Sequence, residues 1–314
     1  MGYAYSRFPF VDWMTVREGL VIGFGEFWHF YLYSSLFLAT AAVGMAFVSC
    51  SLQGLDFSLT IATVLSLVVF SVYTMNRKTD QAEDSLNHVD RFKVTSRYTS
   101  LLFPCAIGAY ALAMGLSALH GFLALAACSV PLVAGIFYSI PLLPETCRYR
   151  RLKEIPLVKN LAVSFSWGLS FSVIPAALSE TPAGEKTLIV FFFIFSWTII
   201  ASILPDIRDR AGDAAAGIRT VPVIIGTRRT TQVLTAFTLL SGLVIFALGR
   251  GTLSGAGLWT VGASLAYSQA CILLVNRAGD THFICDVLSD GQFIPLALIA
   301  SLPGLVHFPF SPPL

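Results

Sequence analysis

Residues 57–84 read FSLTIATVLSLVVFSVYTMNRKTDQAED, an uncharged stretch over 57–76 that leads directly into a polar, acid-rich segment. An uncharged helix of this length is long enough to cross the hydrocarbon core of a bilayer. Asn76, Asp80 and Asp84 follow one another at intervals of four residues, so on a helix they lie along one stripe. The sequence therefore predicts a membrane-spanning helix that ends in a row of oxygen-bearing side chains, the first acidic motif.

The same arrangement recurs at residues 187–213, TLIVFFFIFSWTIIASILPDIRDRAGD. An uncharged stretch leads to Asp206, Asp209 and Asp213, whose spacing of three and four residues again places them on one helical face. Carboxylate and amide oxygens of this second acidic motif and of the first are hard ligands, suited to Mg²⁺ rather than to zinc or copper. Because Mg²⁺ keeps positions open for water or phosphate, the two motifs predict a diphosphate site and hence an enzyme.

The whole chain has the composition of a membrane protein. It is 55% apolar and only 12% charged, with a mean hydropathy of +0.74. We predict an all-α fold, a single bundle of nine transmembrane helices around a central cavity that opens to the cytoplasmic side and to lipid. The predicted spans are 27–49, 57–76, 98–118, 122–142, 160–179, 187–205, 230–249, 254–275 and 291–310. Residues 1–314 are interpreted as one domain, in which 1–24 form a cytoplasmic or interfacial arm.

The basic residues predict the orientation of this bundle. Of the 20 Lys and Arg residues, all but Lys186 and Arg250 lie in the N-terminal arm or in the loops after the second, fourth, sixth and eighth spans. By the positive-inside rule, the N-terminus and these loops are cytoplasmic, and both acidic motifs end on that side. The net charge of +2 is small, and no nucleic-acid partner is expected.

The two motifs and the helix count resemble the UbiA superfamily of intramembrane prenyltransferases. That family carries NxxxDxxxD after helix 2 and DxxxD or DxxDxxxD after helix 6. Residues 217–226, GIRTVPVIIG, and the loop 151–156, RLKEIP, also fit its layout, which extends over 25–310. The chain departs from the family at Arg77, where most relatives have an acidic residue, and at 87–93, NHVDRFK, where a Pro-rich turn is usual. These departures concern the acceptor more than the metal chemistry, because every ligand position is retained.

The resemblance implies a Mg²⁺-dependent enzyme that moves a polyprenyl group from an isoprenyl diphosphate to a lipophilic acceptor, either an aromatic quinone precursor or a lipid. The diphosphate would ionise, and the acceptor would capture the allylic carbocation. The expected metal ligands are Asn76, Asp80, Asp84, Asp206, Asp209 and Asp213. The expected diphosphate ligands are Arg208, Lys153 and Lys159, and Arg91 and Arg97 are the next candidates. The residues expected to act in catalysis are Asp80, Asp84, Asp209, Asp213, Arg208 and Lys153.

A dry aromatic cavity would shield the carbocation from water. The aromatic residues expected in its wall are Tyr73, Tyr138, Phe165, Trp167 and Trp197. A further acidic group, Asp280, Asp286 and Asp290, has irregular spacing and is interpreted as part of a lid or a plain loop.

Two other functions are compatible with the same residues. A terpene cyclase of the same superfamily would close the carbocation on its own chain. A cation transporter would bind a permeating ion with the carboxylates, but it needs acidic sites that both faces can reach. Both motifs here lie at span ends on one side, which disfavours transport.

Overall fold

The structure, a computed structural model, describes residues 23, 25–139, 155–215, 217–277 and 281–305, and all of their regular secondary structure is helical. The prediction of an all-α fold is therefore confirmed. The helices are α1 (Leu36–Gln53), α2 (Leu59–Thr79), α3 (Gln81–Asn87), α4 (Val89–Leu119), α5 (Phe122–Ser139), α6 (Val158–Leu178), α7 (Glu185–Arg208), α8 (Arg210–Ala215), α9 (Val221–Ile225), α10 (Thr227–Gly249), α11 (Gly255–Val275) and α12 (Phe293–Leu305). A π-helix, Phe283–Ser289, precedes α12.

Eight helical segments within the described residues are long and apolar enough to cross a membrane. They are α1, α2, α4, α6, α7, α10, α11 and the segment Phe283–Leu302. The remaining predicted span, 122–142, coincides with α5, whose apolar part Phe122–Phe137 is shorter. The chain is a multi-pass membrane protein, and the count of nine spans stays a prediction.

Several helices extend beyond the spans expected from the uncharged stretches. The third predicted span, 98–118, is part of the 31-residue helix α4, which begins at Val89. The last one, 291–310, continues a helical path that starts at Phe283. Charged residues ended the predicted spans, but backbone hydrogen bonds continue past them because charged side chains can leave the membrane while the helix goes on.

Close packing between helices fixes the bundle. Helix α6 packs along α7, α2 along α4, and α1 lies against both α2 and α12. Trp197 and Phe193 of α7 are fully buried, with their rings stacked 4.7 Å apart. At Gly44 of α1, an added Cβ would lie 2.5 Å from the carbonyl oxygen of Phe293. Only glycine allows α1 and α12 to approach this closely.

Each acidic motif continues through a break in its helix. Asp80 stands between α2 and α3, and Asp209 stands between α7 and α8. The hydrogen bonds from residue i to i−4 nevertheless persist, since the amides of Asp84 and Asp213 donate to the carbonyls of Asp80 and Asp209, both at 2.9 Å. The stripe geometry expected of a helix is thus retained across each break.

Candidate active site

The two acidic motifs meet in one cavity. All six of their members line a polar cavity of about 400 Å³ between the ends of α2 and α7. The cavity is also lined by Lys159 of α6 and by Arg91 and Arg208. Residues that lie more than 100 positions apart in sequence thus form a single site, which we call the polar cavity.

Asp206 is held by the start of α6. Its Oδ1 accepts a hydrogen bond from Nζ of Lys159 at 2.6 Å, and its Oδ2 accepts one from Nδ2 of Asn160 at 3.3 Å. Asn160 is itself fixed by the carbonyl of Ser202, one turn before Asp206 on α7. Asp206 is buried while Lys159 is partly exposed, so the lysine side chain reaches inward from the cavity rim.

Asp209 forms the most buried ion pair of the second motif. Arg208, whose side chain is only 4% exposed, donates to both oxygens of Asp209, at 2.8 Å and 3.0 Å. Nε2 of His88 lies 3.2 Å from Oδ2 of Asp209 and 2.5 Å from Nη2 of Arg208. Burial opposes ionisation of Asp209, but the contacts with His88 and Arg208 outweigh it and place the pKa of Asp209 well below its usual range. Burial also lowers the pKa of His88, which favours the neutral ring.

Asp213 experiences the opposite electrostatic effect. Burial, followed by repulsion from Asp206, raises its pKa to about 6. Its Oδ1 accepts a hydrogen bond of 3.4 Å from Nδ2 of Asn87. The crowding of carboxylates around Asp213 is therefore only partly compensated by positive charge. Such a site favours binding of a cation.

The first motif contributes Asp84 as a second strongly paired carboxylate. Arg91 binds it with two hydrogen bonds, from Nε at 3.1 Å and from Nη2 at 2.5 Å. Asp80 lines the same cavity, and one of its oxygens accepts a hydrogen bond of 3.3 Å from the hydroxyl of Thr79. Asn76 lies one turn earlier on α2, also at the cavity surface.

The predicted diphosphate ligands thus divide into two groups. Arg208, Lys159 and Arg91 lie at the polar cavity. Arg97 is exposed on α4, with its guanidinium 5.5 Å from the ring of Tyr98, and it does not line the cavity. Lys153 falls outside the described residues.

Sequence reasoning missed two acidic residues of the site. Asp286 and Asp290 line the polar cavity, and Oδ1 of Asp286 accepts a hydrogen bond of 2.5 Å from Nη1 of Arg208. The alternative of a plain loop is wrong for Asp286, which lies on the π-helix Phe283–Ser289, whereas Asp290 stands in the turn between that helix and α12. Their spacing of four residues was the available signal. The third member of that group, Asp280, falls outside the described residues.

His88, His282 and Asp286 offer ligand atoms within 4.8 Å of one another. Arg208 contacts both His88 and Asp286, as it does Asp209 of the second motif. The acidic motifs offer six oxygen-bearing side chains against the single carboxylate of this group, so they are the better place for a hard cation. Their donor set of five carboxylates and one amide oxygen fits Mg²⁺.

A second, apolar cavity adjoins the first. It also measures about 400 Å³, lies between α2, α5 and α6, and shares Tyr73, Asn76 and Val163 with the polar cavity. The rings of Tyr73 and Trp167 stack in its wall, 5.8 Å apart with an angle of 3°. We call it the apolar cavity. It offers a dry space next to the carboxylates, with a volume typical of small-molecule sites.

Two of the predicted wall residues, Trp197 and Phe165, have other positions. Trp197 is fully buried in the core, where its Nε1 donates to the carbonyl of Ser264 at 3.2 Å. Phe165 is 50% exposed and packs on Phe191. Neither residue lines the two cavities. The side chain of Tyr138 falls outside the part of the chain that the structure describes.

Comparison with known proteins finds a matching family by sequence and a shared fold by structure. The model of the UbiA prenyltransferase family matches residues 36–284. The chain is 29% identical to the digeranylgeranylglyceryl phosphate synthase of Methanopyrus kandleri over 190 residues, which are 59% of this chain and 64% of that protein. It is also 29% identical to the protein of the same name from Natronomonas pharaonis over 217 residues, 65% of this chain and 72% of the relative.

Solved structures show the same fold. A UbiA homologue from Archaeoglobus fulgidus bound to GPP and Mg²⁺ superposes with a TM-score of 0.61 at 15% identity, covering 87% of this chain and 99% of that one. The apo structure of a UbiA homologue from Aeropyrum pernix K1 gives a TM-score of 0.62 at 15% identity, covering 84% and 98%.

Proposed function

Because the chain belongs to the UbiA prenyltransferase family, we propose that it transfers a polyprenyl group from an isoprenyl diphosphate to a glyceryl phosphate lipid, with Mg²⁺ as cofactor. One observation carries this proposal. Two facing carboxylate motifs and five basic side chains line a polar cavity that continues into an apolar one. The names of the related synthases support the acceptor, and the homologue bound to GPP and Mg²⁺ supports the donor and the metal.

The leaving diphosphate requires charge neutralisation. Bound to the oxygens of the two motifs, Mg²⁺ supplies Lewis-acid stabilisation of the diphosphate. Arg208 and Lys159 face the same space and donate charge-assisted hydrogen bonds to its oxygens as the carbon–oxygen bond breaks. Asp209 and Asp206 hold these two donors in position before the substrate arrives.

The allylic carbocation requires shelter from water and a nearby nucleophile. Tyr73 lines both cavities, and its ring stacks on that of Trp167 in the wall of the apolar cavity, so aromatic faces near the junction stabilise positive charge. The polyprenyl tail occupies the apolar cavity. The acceptor hydroxyl then forms the new carbon–oxygen bond, and its proton passes to the departed diphosphate. We further propose that this chemistry takes place at the cytoplasmic side, because the basic residues concentrate there.

The test is an assay of the purified protein with Mg²⁺ and labelled geranylgeranyl diphosphate. It compares three conditions: no acceptor, an aromatic quinone precursor, and a glyceryl phosphate lipid that carries one geranylgeranyl chain. We expect labelled product only with the glyceryl phosphate lipid. A cyclic hydrocarbon or alcohol formed without acceptor would instead indicate a cyclase, and transfer only to the aromatic ring would refute the acceptor.

Variants connect the assay to the site. Asp80→Ala and Asp209→Ala remove one carboxylate from each motif, and we expect both to abolish transfer. Asp56→Ala is the matched control, because Asp56 is exposed before α2 and does not line the cavities. Full turnover in either motif variant would contradict the metal-binding role.

A further inference from the structure

A third, smaller pocket lies beside both cavities. We call it the hydroxyl pocket. It is formed by Ser34 and Ser35 before α1, by Thr74, Arg77 and Lys78 of α2, and by neighbouring residues up to Phe103 of α4. Arg77 also lines the polar cavity, and Phe103 also lines the apolar one. The hydroxyl pocket is therefore next to the space for the diphosphate and to the space for the lipid chain.

Three hydroxyl groups of this pocket are buried without a partner. The side-chain oxygens of Ser34, Ser35 and Thr74 have no hydrogen-bond partner among the described residues. The residues are 1%, 0% and 6% exposed, so bulk water does not satisfy them. A buried hydroxyl without a partner is costly. A polar group in this space, either an ordered water or a ligand atom, would complete their hydrogen bonds.

The charges of the pocket favour an anion. Of its eleven lining residues, Arg77 and Lys78 are basic and none is acidic. Nη1 of Arg77 donates to the carbonyl of Tyr33, which anchors the guanidinium at the pocket. Ser35 is the N-cap of the 18-residue helix α1 and makes no side-chain capping bond, so the positive end of the helix dipole adds to this field.

The backbone at this helix start is strained to form the pocket. Ser35 has a φ of 73°, in the left-handed region that side-chain-bearing residues rarely adopt. Serine rather than glycine occupies this position, although glycine would relieve the strain. Ser35 also lines the pocket. Strain of this kind is frequent at ligand-binding sites.

We propose that the hydroxyl pocket binds a phosphate oxygen of the acceptor headgroup. This inference rests on the proposed function and adds the site that recognises the headgroup. The space of about 20 Å³ accommodates one water-sized group and therefore one such oxygen. Arg77, the residue at which the chain departs from the acidic family pattern, supplies the charge. The three hydroxyls donate hydrogen bonds, and the lipid chain of the acceptor continues toward the apolar side.

Steady-state kinetics with two acceptors test the proposal. At saturating geranylgeranyl diphosphate, the acceptor is either the glyceryl phosphate lipid or the same lipid without phosphate. We expect Arg77→Gln to raise the KM for the phosphorylated acceptor by about 10- to 100-fold and Thr74→Val by about 2- to 10-fold. For Thr74→Val, which lies off the polar and apolar cavities, the KM for the donor and the kinetics with the dephosphorylated acceptor should stay within about twofold of the wild type.

Matched controls separate recognition from general damage. Ser268→Ala removes another buried hydroxyl without a described partner, on α11 and away from the pocket. Arg250→Gln removes an exposed arginine. Both should leave every KM unchanged. Equal losses with both acceptors, or a rise in the donor KM that matches the rise for the acceptor, would overturn the proposal.

Direct binding decides the question even if no glyceryl lipid is a substrate. With EDTA present, glycerol phosphate is added to the detergent-solubilised protein and the thermal unfolding midpoint is measured. We expect the midpoint to rise for the wild type and for Ser268→Ala, and to rise much less for Thr74→Val. Thr74 does not line the polar cavity, so this difference reports the hydroxyl pocket. Identical midpoint shifts in all three proteins, or no shift in the wild type, would refute the site.

Discussion

Replacement of Asp286 by asparagine tests whether a residue outside both motifs positions Arg208, the proposed diphosphate ligand. The two side chains are 12% and 4% exposed, and Oδ1 of Asp286 lies 2.5 Å from Nη1 of Arg208. Asparagine keeps the shape and one acceptor oxygen but removes the charge. Hydrogen bonds to charged groups contribute about 1.5–3 kcal/mol. Since Asp209 still holds Arg208 through two other nitrogens, we expect the lower end of that range, about a tenfold loss in kcat/KM.

A double-mutant cycle shows whether this loss in kcat/KM depends on the presence of Arg208. We expect Arg208→Gln to lower kcat/KM for the prenyl diphosphate by about 100-fold or more, and Asp286→Asn to add little in that background. Asp90→Asn is the control, because Asp90 pairs with Lys93 at the surface, where such pairs contribute little. Thermal unfolding of each variant separates loss of function from loss of folded protein. An undiminished tenfold loss from Asp286→Asn in the Arg208→Gln protein would refute the positioning role.

Three further predictions follow from the cavities and the helix contacts. Val163→Phe should block the junction of the two cavities, so the rate of transfer from geranylgeranyl diphosphate should fall far more than the rate from dimethylallyl diphosphate. The control Phe165→Ala, which lies off both cavities, should change neither rate. The pKa of Asp213 is raised to about 6, so Mg²⁺ must displace a proton below that pH. Titration calorimetry should show affinity that weakens as pH falls through 6 and is constant above it, and Asp213→Asn should remove this dependence. Gly44→Ala should destabilise the protein by about 1–3 kcal/mol, since its Cβ would meet the first carbonyl of α12. Gly115→Ala, which has open space, should not lower the unfolding midpoint.

The sequence predicts the helical bundle and both motifs because each depends on local pattern. The lack of charge over 57–76 identifies α2, and the four-residue spacing of Asn76, Asp80 and Asp84 survives the break at Asp80 since the backbone hydrogen bonds continue through it. Local spacing also shows that Asp206, Asp209 and Asp213 share a face. Local spacing does not show that the two faces meet in one cavity, because that depends on tertiary packing. The family resemblance provided this expectation.

Side-chain partners between distant helices could not be predicted in this way. Trp167 and Trp197 have the same local signal, an aromatic residue in an apolar helix, yet one lines the apolar cavity and the other packs in the core. The difference arises from the rotation of α6 and α7 within the bundle. The family resemblance singled out Arg77 as a departure that concerns the acceptor, but it gave no information on the surroundings of this residue. Only the meeting of the start of α1 with α2 places Arg77 near the buried hydroxyls of Ser34 and Ser35.

The ion pairs of the polar cavity explain how so many charges are kept at a membrane surface. Asp84 is paired with Arg91, Asp206 with Lys159 and Asp209 with Arg208. The opposite charges of each pair neutralise each other, which limits the free-energy cost of burying them. When a divalent cation takes the carboxylates, the basic side chains lose their partners and become available to an anion. The site is therefore suited to a cation and a diphosphate together more than to either alone, and by linkage each must strengthen the binding of the other by the same factor.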